Sequence, residues 1–126
     1  MENSIDSAAA AGFKKALAYD MHRPSYPHEV VTTLTELLPR KANRPFKIID
    51  LAAGTGKFTE LLADHMDQWD VIAVEPHKEM RQVLSEKHLK GPRVIDGMAE
   101  NMEAVPEGWA DAVVVAQVLM LLYEKG

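Results

Sequence analysis

The chain has no cysteine among its 126 residues. That excludes disulfides, thiolate nucleophiles and cysteine-held metals, and it suits a cytoplasmic protein. Cations are also in short supply: 14 Lys and Arg stand against 19 Asp and Glu, for a formal net charge of -5. Such a balance argues against a nucleic-acid binder, whose affinity comes from clustered positive charge. Long apolar runs are missing too. The longest, residues 112–123, is interrupted by Gln117 and falls short of the ~20 residues a membrane-spanning helix needs. The opening "MENSIDSAAAAG" has neither the basic nor the apolar region of a secretory signal. The five histidines, His22, His28, His65, His77 and His88, show no metal-ligand spacing. No metal is expected, and the surface is their default place.

What is present suffices for one core, since 47% of the residues are hydrophobic. Residues 1–6 read as a frayed end, and "SAAAAGFKKALAYD" follows with helix-favouring composition despite Gly12. Pro24 and Pro27 stop that helix. "HEVVTTLTELLP" then puts Val30, Val31, Leu34, Leu37 and Leu38 on one helical stripe ending at Pro39. Beyond a basic connector, buried-strand runs near 47–51, 71–75, 93–96 and 111–116 alternate with the helical patterns "KFTELLADHM" and "HKEMRQVLSEKHL". This βαβαβ order predicts an α/β fold with a parallel sheet covered by helices. A further helix is expected over 118–122. The predicted division is a helical cap segment, 1–45, and a half-domain, 46–126.

"IIDLAAGTGKFTELL", residues 48–62, joins the first strand to its helix through a glycine turn. Glycines there permit positive φ and a close ligand, and the helix N-terminus offers unpaired N–H groups. A tight connection without a ligand has the same appearance. The phosphate loop G-x-x-x-x-G-K-[ST] fails, because Leu51 stands for its first glycine and Phe58 for its hydroxyl residue. Lys57 is therefore read as a solvated residue of the first helical turn. The dinucleotide fingerprint fits Gly54 and Gly56 but has Thr59 in place of the third glycine. Glu75, about 20 positions on and at the end of the second strand, suits the diol of a ribose. A helix N-terminal acid after which Pro76 opens the next helix is the alternative.

A third pattern fits better. "IIDLAAGTGKFTELL", "VIAVEP", "DGMAENM" and "WADAVVVAQ" follow one another as the motifs of Rossmann-like S-adenosylmethionine-dependent methyltransferases do, and the chain resembles that family from about residue 13 to residue 117. "AYDMHRPSYP" looks like the N-terminal cap of its small-molecule branch, which includes trans-aconitate methyltransferase-like proteins. The resemblance implies a Rossmann-like sheet of about four strands here, order 3-2-1-4. It also implies S-adenosylmethionine as cofactor and a small-molecule acceptor.

Carried over position by position, the resemblance gives Glu75 the ribose hydroxyls, with Pro76 beside it. Gly54 and Gly56 give backbone access, and Ala52 stands where many members have glycine. Asp50 helps place the amino-acid tail, or is a structural acid. Met98, Ala99 and Glu100 surround the adenine, although Met98 also reads as an apolar wall and Glu100 as a solvated acid. Gln117 lies near the methionyl amine. Tyr19 and Arg23 close over the cofactor, Arg23 as a carboxylate partner or a plain surface residue.

Two departures qualify the resemblance. "VLMLLY" replaces an aromatic, histidine-containing stretch, and relatives carry further strands after the fourth. The chain is thus expected to be the cofactor half of a methyltransferase, completed by more chain, self-association or a partner on its sheet edge. The alternative is a non-catalytic relative that binds a partner through that edge.

Overall fold

The computed structural model describes residues 4–22, 25–38, 44–65 and 69–116. Helix α1 (Ser4–His22) and helix α2 (Glu29–Leu37) precede strand β1 (Phe46–Leu51). Helix α3 (Lys57–Ala63), strand β2 (Trp69–Val74), helix α4 (Lys78–Glu86), strand β3 (Arg93–Ile95) and strand β4 (Ala112–Val114) follow. The four strands form one parallel sheet in the order β3-β2-β1-β4. The parallel α/β sheet is the one expected from the alternation of strands and helices, and its order is the Rossmann-like one that the resemblance implies.

The central strands β1 and β2 bury both faces, which is why their sequences are almost continuously apolar. On one face, Ile48, Val71 and Val114 pack with Val30, Val31 and Leu34 of α2 and with Phe58 and Leu62 of α3. On the other, Ile49, Ile72 and Val74 pack with Ile95, Met102, Val105 and Trp109. The period of two along β1 and β2 thus sorts neighbouring residues into opposite layers. Trp69 is buried where β2 begins, level with Phe46. Trp109 lies between two cations at the same end of the sheet, 5.6 Å from Lys47 Nζ and 5.4 Å from Arg93 Cζ.

The elements depart from their predicted bounds in a few places. Residues 4–6 belong to α1 instead of fraying, because an alanine run that has nucleated a helix extends it at little cost. A β-carbon at Gly12 would lie 2.7 Å from Glu79 Cγ, so the glycine marks the close approach of α1 to α4. Strand β4 ends at Val114, leaving residues 115 and 116 to line a cavity. Glu75 lies just beyond β2, its N–H donating to Ile95 O at 3.1 Å. The helix expected over 118–122 lies outside the described residues.

Candidate functional site

Moving along the sheet, β3, β2 and β1 run one way and β4 joins on the other side of β1. A reversal of this kind opens a crevice at the carboxyl ends of the strands, the usual ligand position in open α/β sheets. A cavity of about 140 Å³ occupies that position, between the ends of β1 and β4. Its wall includes Asp50, Ala52, Gly54, Lys57, Tyr19 and Val115.

The glycine turn is held by geometry that its letters indicate. Ala53 N–H donates to Val74 O, and Gly56 N–H to Ala53 O, each at 3.0 Å. Gly54 has φ +62 and a β-carbon there would meet nothing within 4 Å, so the backbone conformation requires the glycine. Gly56, at φ +90, is the N-cap of α3, and a β-carbon on it would collide with Leu84 Cδ1 of α4. It packs helix against helix and does not line the cavity. Ala52 also has positive φ, at 57, a costly conformation for a residue with a β-carbon.

Asp50, at the end of β1, is 0% exposed. Its Oδ2 accepts the Thr59 hydroxyl at 2.6 Å, while Oδ1 has no hydrogen-bond partner among the described residues. Burial pushes its pKa up to about 7; the Thr59 bond opposes this and the charge of Glu75 adds to it. Thr59, a missing glycine in the dinucleotide pattern, here supplies the one hydroxyl that orients the buried acid. An acid next to a cavity with a free lone pair is the donor set that a cationic or N–H-bearing group fits.

Glu75 is 4% exposed and satisfies its surroundings with both oxygens. Oε1 accepts Gly54 N–H at 2.8 Å; Oε2 accepts His77 N–H at 2.9 Å and lies 2.7 Å from His77 Nδ1. It thereby ties the glycine turn to the start of α4, sits behind Gly54 and not in the cavity wall, and keeps one acceptor site on Oε1. The helix-terminal role and a ligand-facing role are compatible in this geometry.

Arg81, the lone arginine of "HKEMRQVLSEKHL", was not marked by sequence reasoning. Its Nη1 donates to Glu75 O at 2.9 Å and Pro76 O at 2.7 Å, and lies 3.2 Å from Asp96 Oδ1. It clamps the β2–α4 connection to the loop after β3. That loop is where Met98, Ala99 and Glu100 lie exposed, with a Met98–Asn101 bridge and a separate hollow of about 330 Å³ lined by Asp96, Gly97 and Met98. Tyr19 reaches the cavity between the ends of β1 and β4 from α1, at 41% exposure. Lys57 is half-buried in the cavity wall, where full solvation was expected, because the first turn of α3 faces the crevice. Arg23 and Gln117 lie outside the described residues.

Among the described residues, no group of three or more His, Asp or Glu is placed to hold a metal, and no helix is long and apolar enough to cross a membrane. His65 departs from the surface expectation. It is half-buried, its Nε2 has no partner among the described residues, and its ring centroid lies 5.5 Å from that of His28.

The topology and the glycine turn define a Rossmann-like fold with a crevice where the sheet order reverses. Comparison with known proteins makes the class specific: the family described as "Methyltransferase domain" matches residues 48–125. The chain belongs to this methyltransferase-domain family. An uncharacterised methyltransferase of Mycobacterium tuberculosis is 41% identical over 100 residues, covering 79% of this chain and 37% of that protein. The chain therefore spans little more than a third of the length of such relatives. Among solved structures, the plantazolicin methyltransferase BpumL, in complex with a triazolic desmethylPZN analog and SAH, aligns over 90% of this chain and 42% of its own, with TM-score 0.58 and 15% identity. YcgJ from Bacillus subtilis aligns over 69% of this chain and 37% of its own, with TM-score 0.54 and 22% identity. These likenesses concern the fold.

Proposed function

We propose that the chain is the cofactor-binding part of an S-adenosylmethionine-dependent methyltransferase acting on a small molecule. The observation that carries this reading is Asp50, a fully buried acid with an unpartnered oxygen beside a cavity at the sheet's reversal point. A buried acceptor left open costs stability, so a fold that keeps one there has a use for it. Residues 1–45 act as a cap over the cofactor half, 46–126, as Tyr19 in the cavity wall suggests.

In this reading Asp50 receives the ammonium end of the ligand, Gly54 gives it backbone access, and Glu75 offers its remaining acceptor site to the ribose diol. Ala52 and Lys57 line the crevice, Gly56 and Pro76 shape its approach, and Met98, Ala99 and Glu100 flank the adenine. Held there, S-adenosylmethionine would supply an electrophilic methyl group on sulfur for in-line transfer to the acceptor, with S-adenosylhomocysteine as the other product. The protein's own contribution is alignment and exclusion of water, with a general base needed only where the acceptor must lose a proton. The acceptor pocket is assigned to residues beyond β4 or to a partner chain on that edge. A reducing, cytoplasmic setting suits a chain without cysteine.

The test is a thermal-shift titration with S-adenosylhomocysteine. Stabilisation that grows with the logarithm of ligand concentration supports the reading, and an unmoved midpoint overturns it. Val113, half exposed on edge strand β4, favours a second reading in which a non-catalytic chain pairs with a partner there. Self-association without ligand binding is the result that would select it.

A further inference from the structure

The glycine turn is held from outside the sheet as well as from within it. Thr55, buried in the turn, donates its hydroxyl to Asp20 Oδ1 at 2.5 Å. The same oxygen accepts Lys87 Nζ at 2.8 Å, and Lys87 Nζ lies 2.8 Å from Glu60 Oε1 as well. Asp20 is in the last turn of α1, Thr55 in the glycine turn and Glu60 on α3, while Lys87 caps α4. Four separate segments therefore converge on one carboxylate and one ammonium.

Asp20 is a poor choice for its position by local rules. An acid in the last turn of a helix faces the negative end of the helix dipole, and this one is only 16% exposed. Burial opposes its charge, yet the hydrogen bonds from Lys87 and Thr55 and the charges of Lys87 and Lys57 prevail and hold its carboxyl below the usual range. A residue that breaks a helix rule and is then so thoroughly compensated signals a role beyond the helix. Its neighbour Tyr19 supplies the clue, since Tyr19 lines the cavity.

We infer that Asp20 is a positioning residue: through Thr55 and Lys87 it fixes the end of α1 to the glycine turn and so seats Tyr19 at the cavity rim. This rests on the cavity being the cofactor site proposed above. Asp20 itself touches no ligand. Lys87, the cation that makes its burial tolerable, shares the role, and Glu60 extends the pair onto α3. Asparagine at position 20 can still accept the Thr55 hydroxyl but cannot pair a charge with Lys87, so the two halves of the device are separable.

The experiment is calorimetric titration of the chain with S-adenosylhomocysteine, comparing wild type, Asp20→Ala, Asp20→Asn, Tyr19→Ala and the Asp20→Ala/Tyr19→Ala double variant. Hydrogen exchange of residues 13–22 is followed alongside without ligand. Asp20→Ala is expected to weaken binding about tenfold and Asp20→Asn by less. The Tyr19 substitution should cost affinity in wild type and almost nothing in the Asp20→Ala background, since a side chain no longer seated has no contact left to lose. Faster exchange in residues 13–22 of Asp20→Ala is expected even without ligand. Wild-type binding with unchanged affinity in Asp20→Ala, or with effects that simply add, overturns the inference. If wild type binds nothing, the cofactor reading falls and the exchange data alone decide whether Asp20 holds α1. Should Asp20→Ala fail to fold, Asp20→Asn and Lys87→Met carry the same comparison.

Discussion

Two aspartates at opposite ends of the β1–β4 pair are handled in opposite ways. At the amino end, Asp111 uses both oxygens: Arg44 Nη1 and Nη2 donate to Oδ2 and Oδ1 at 2.7 and 3.0 Å, and Lys47 N–H donates to Oδ2 at 2.9 Å. At the carboxyl end, Asp50 is more deeply buried, holds one hydroxyl and leaves an oxygen unpaired. The first arrangement joins two strands and a connector with a bidentate fork. The second gives up stability, because an unpaired buried acceptor loses its water and gains nothing in return. Of the two aspartates, the one with an open acceptor stands at the end of the sheet that bears the strained turn and the cavity.

The contrast can be broken most severely at Glu75. Replacing it with alanine strips the acceptors from Gly54 N–H and His77 N–H, and a loss of about 3 kcal/mol in denaturant unfolding is expected, together with loss of S-adenosylhomocysteine binding. Glu75→Gln retains an acceptor oxygen and should lose less of each.

Asp50→Asn sharpens the contrast through pH. The native pKa is raised from 3.8 to about 7, so the folded state holds a proton that the unfolded chain releases. Stability from this group is full below the unfolded value, erodes by up to ~1.4 kcal/mol per pH unit across the window between the two values, and is gone above the native one. The asparagine variant should be flat across that window, more stable than wild type on its alkaline side, and weaker in ligand binding. Thermal melts at a series of pH values, with and without ligand, check all three.

Smaller effects follow. Ala52→Gly should stabilise the chain by about 1 kcal/mol in denaturant melts, since it relieves a positive φ of 57. Arg44→Met, at the amino end, should change the melting midpoint slightly and leave ligand affinity untouched. An effect on affinity there would erase the distinction between the two ends.

Much of this was legible in the sequence because it depends on local pattern. Alternating strands and helices gave the parallel α/β sheet, the resemblance to methyltransferases implied its order β3-β2-β1-β4, and glycine spacing with an acid after the second strand drew attention to Gly54 and Glu75. What was not legible depends on distant partners. Asp20 and Thr55 are 35 positions apart, and Asp20 and Lys87 are 67 apart. No periodicity connects them. Thr59 stands where the dinucleotide pattern has a glycine, yet its hydroxyl bonds Asp50, and nothing in the spacing of Gly56 announces its close packing on Leu84. Arg81 acts on backbone carbonyls, which carry no residue signature.

The two tryptophans have an optical consequence. Trp69 is packed at the start of β2, and Trp109 sits over Lys47 and Arg93, at the starts of β1 and β3. Trp69 is level with Phe46, four residues of β1 before Asp50 in the cavity wall, roughly 13 Å at ~3.3 Å per residue. Emission from Trp69 should follow unfolding and respond little to a ligand in the crevice, while a Tyr19→Trp substitution would put an emitter at its rim.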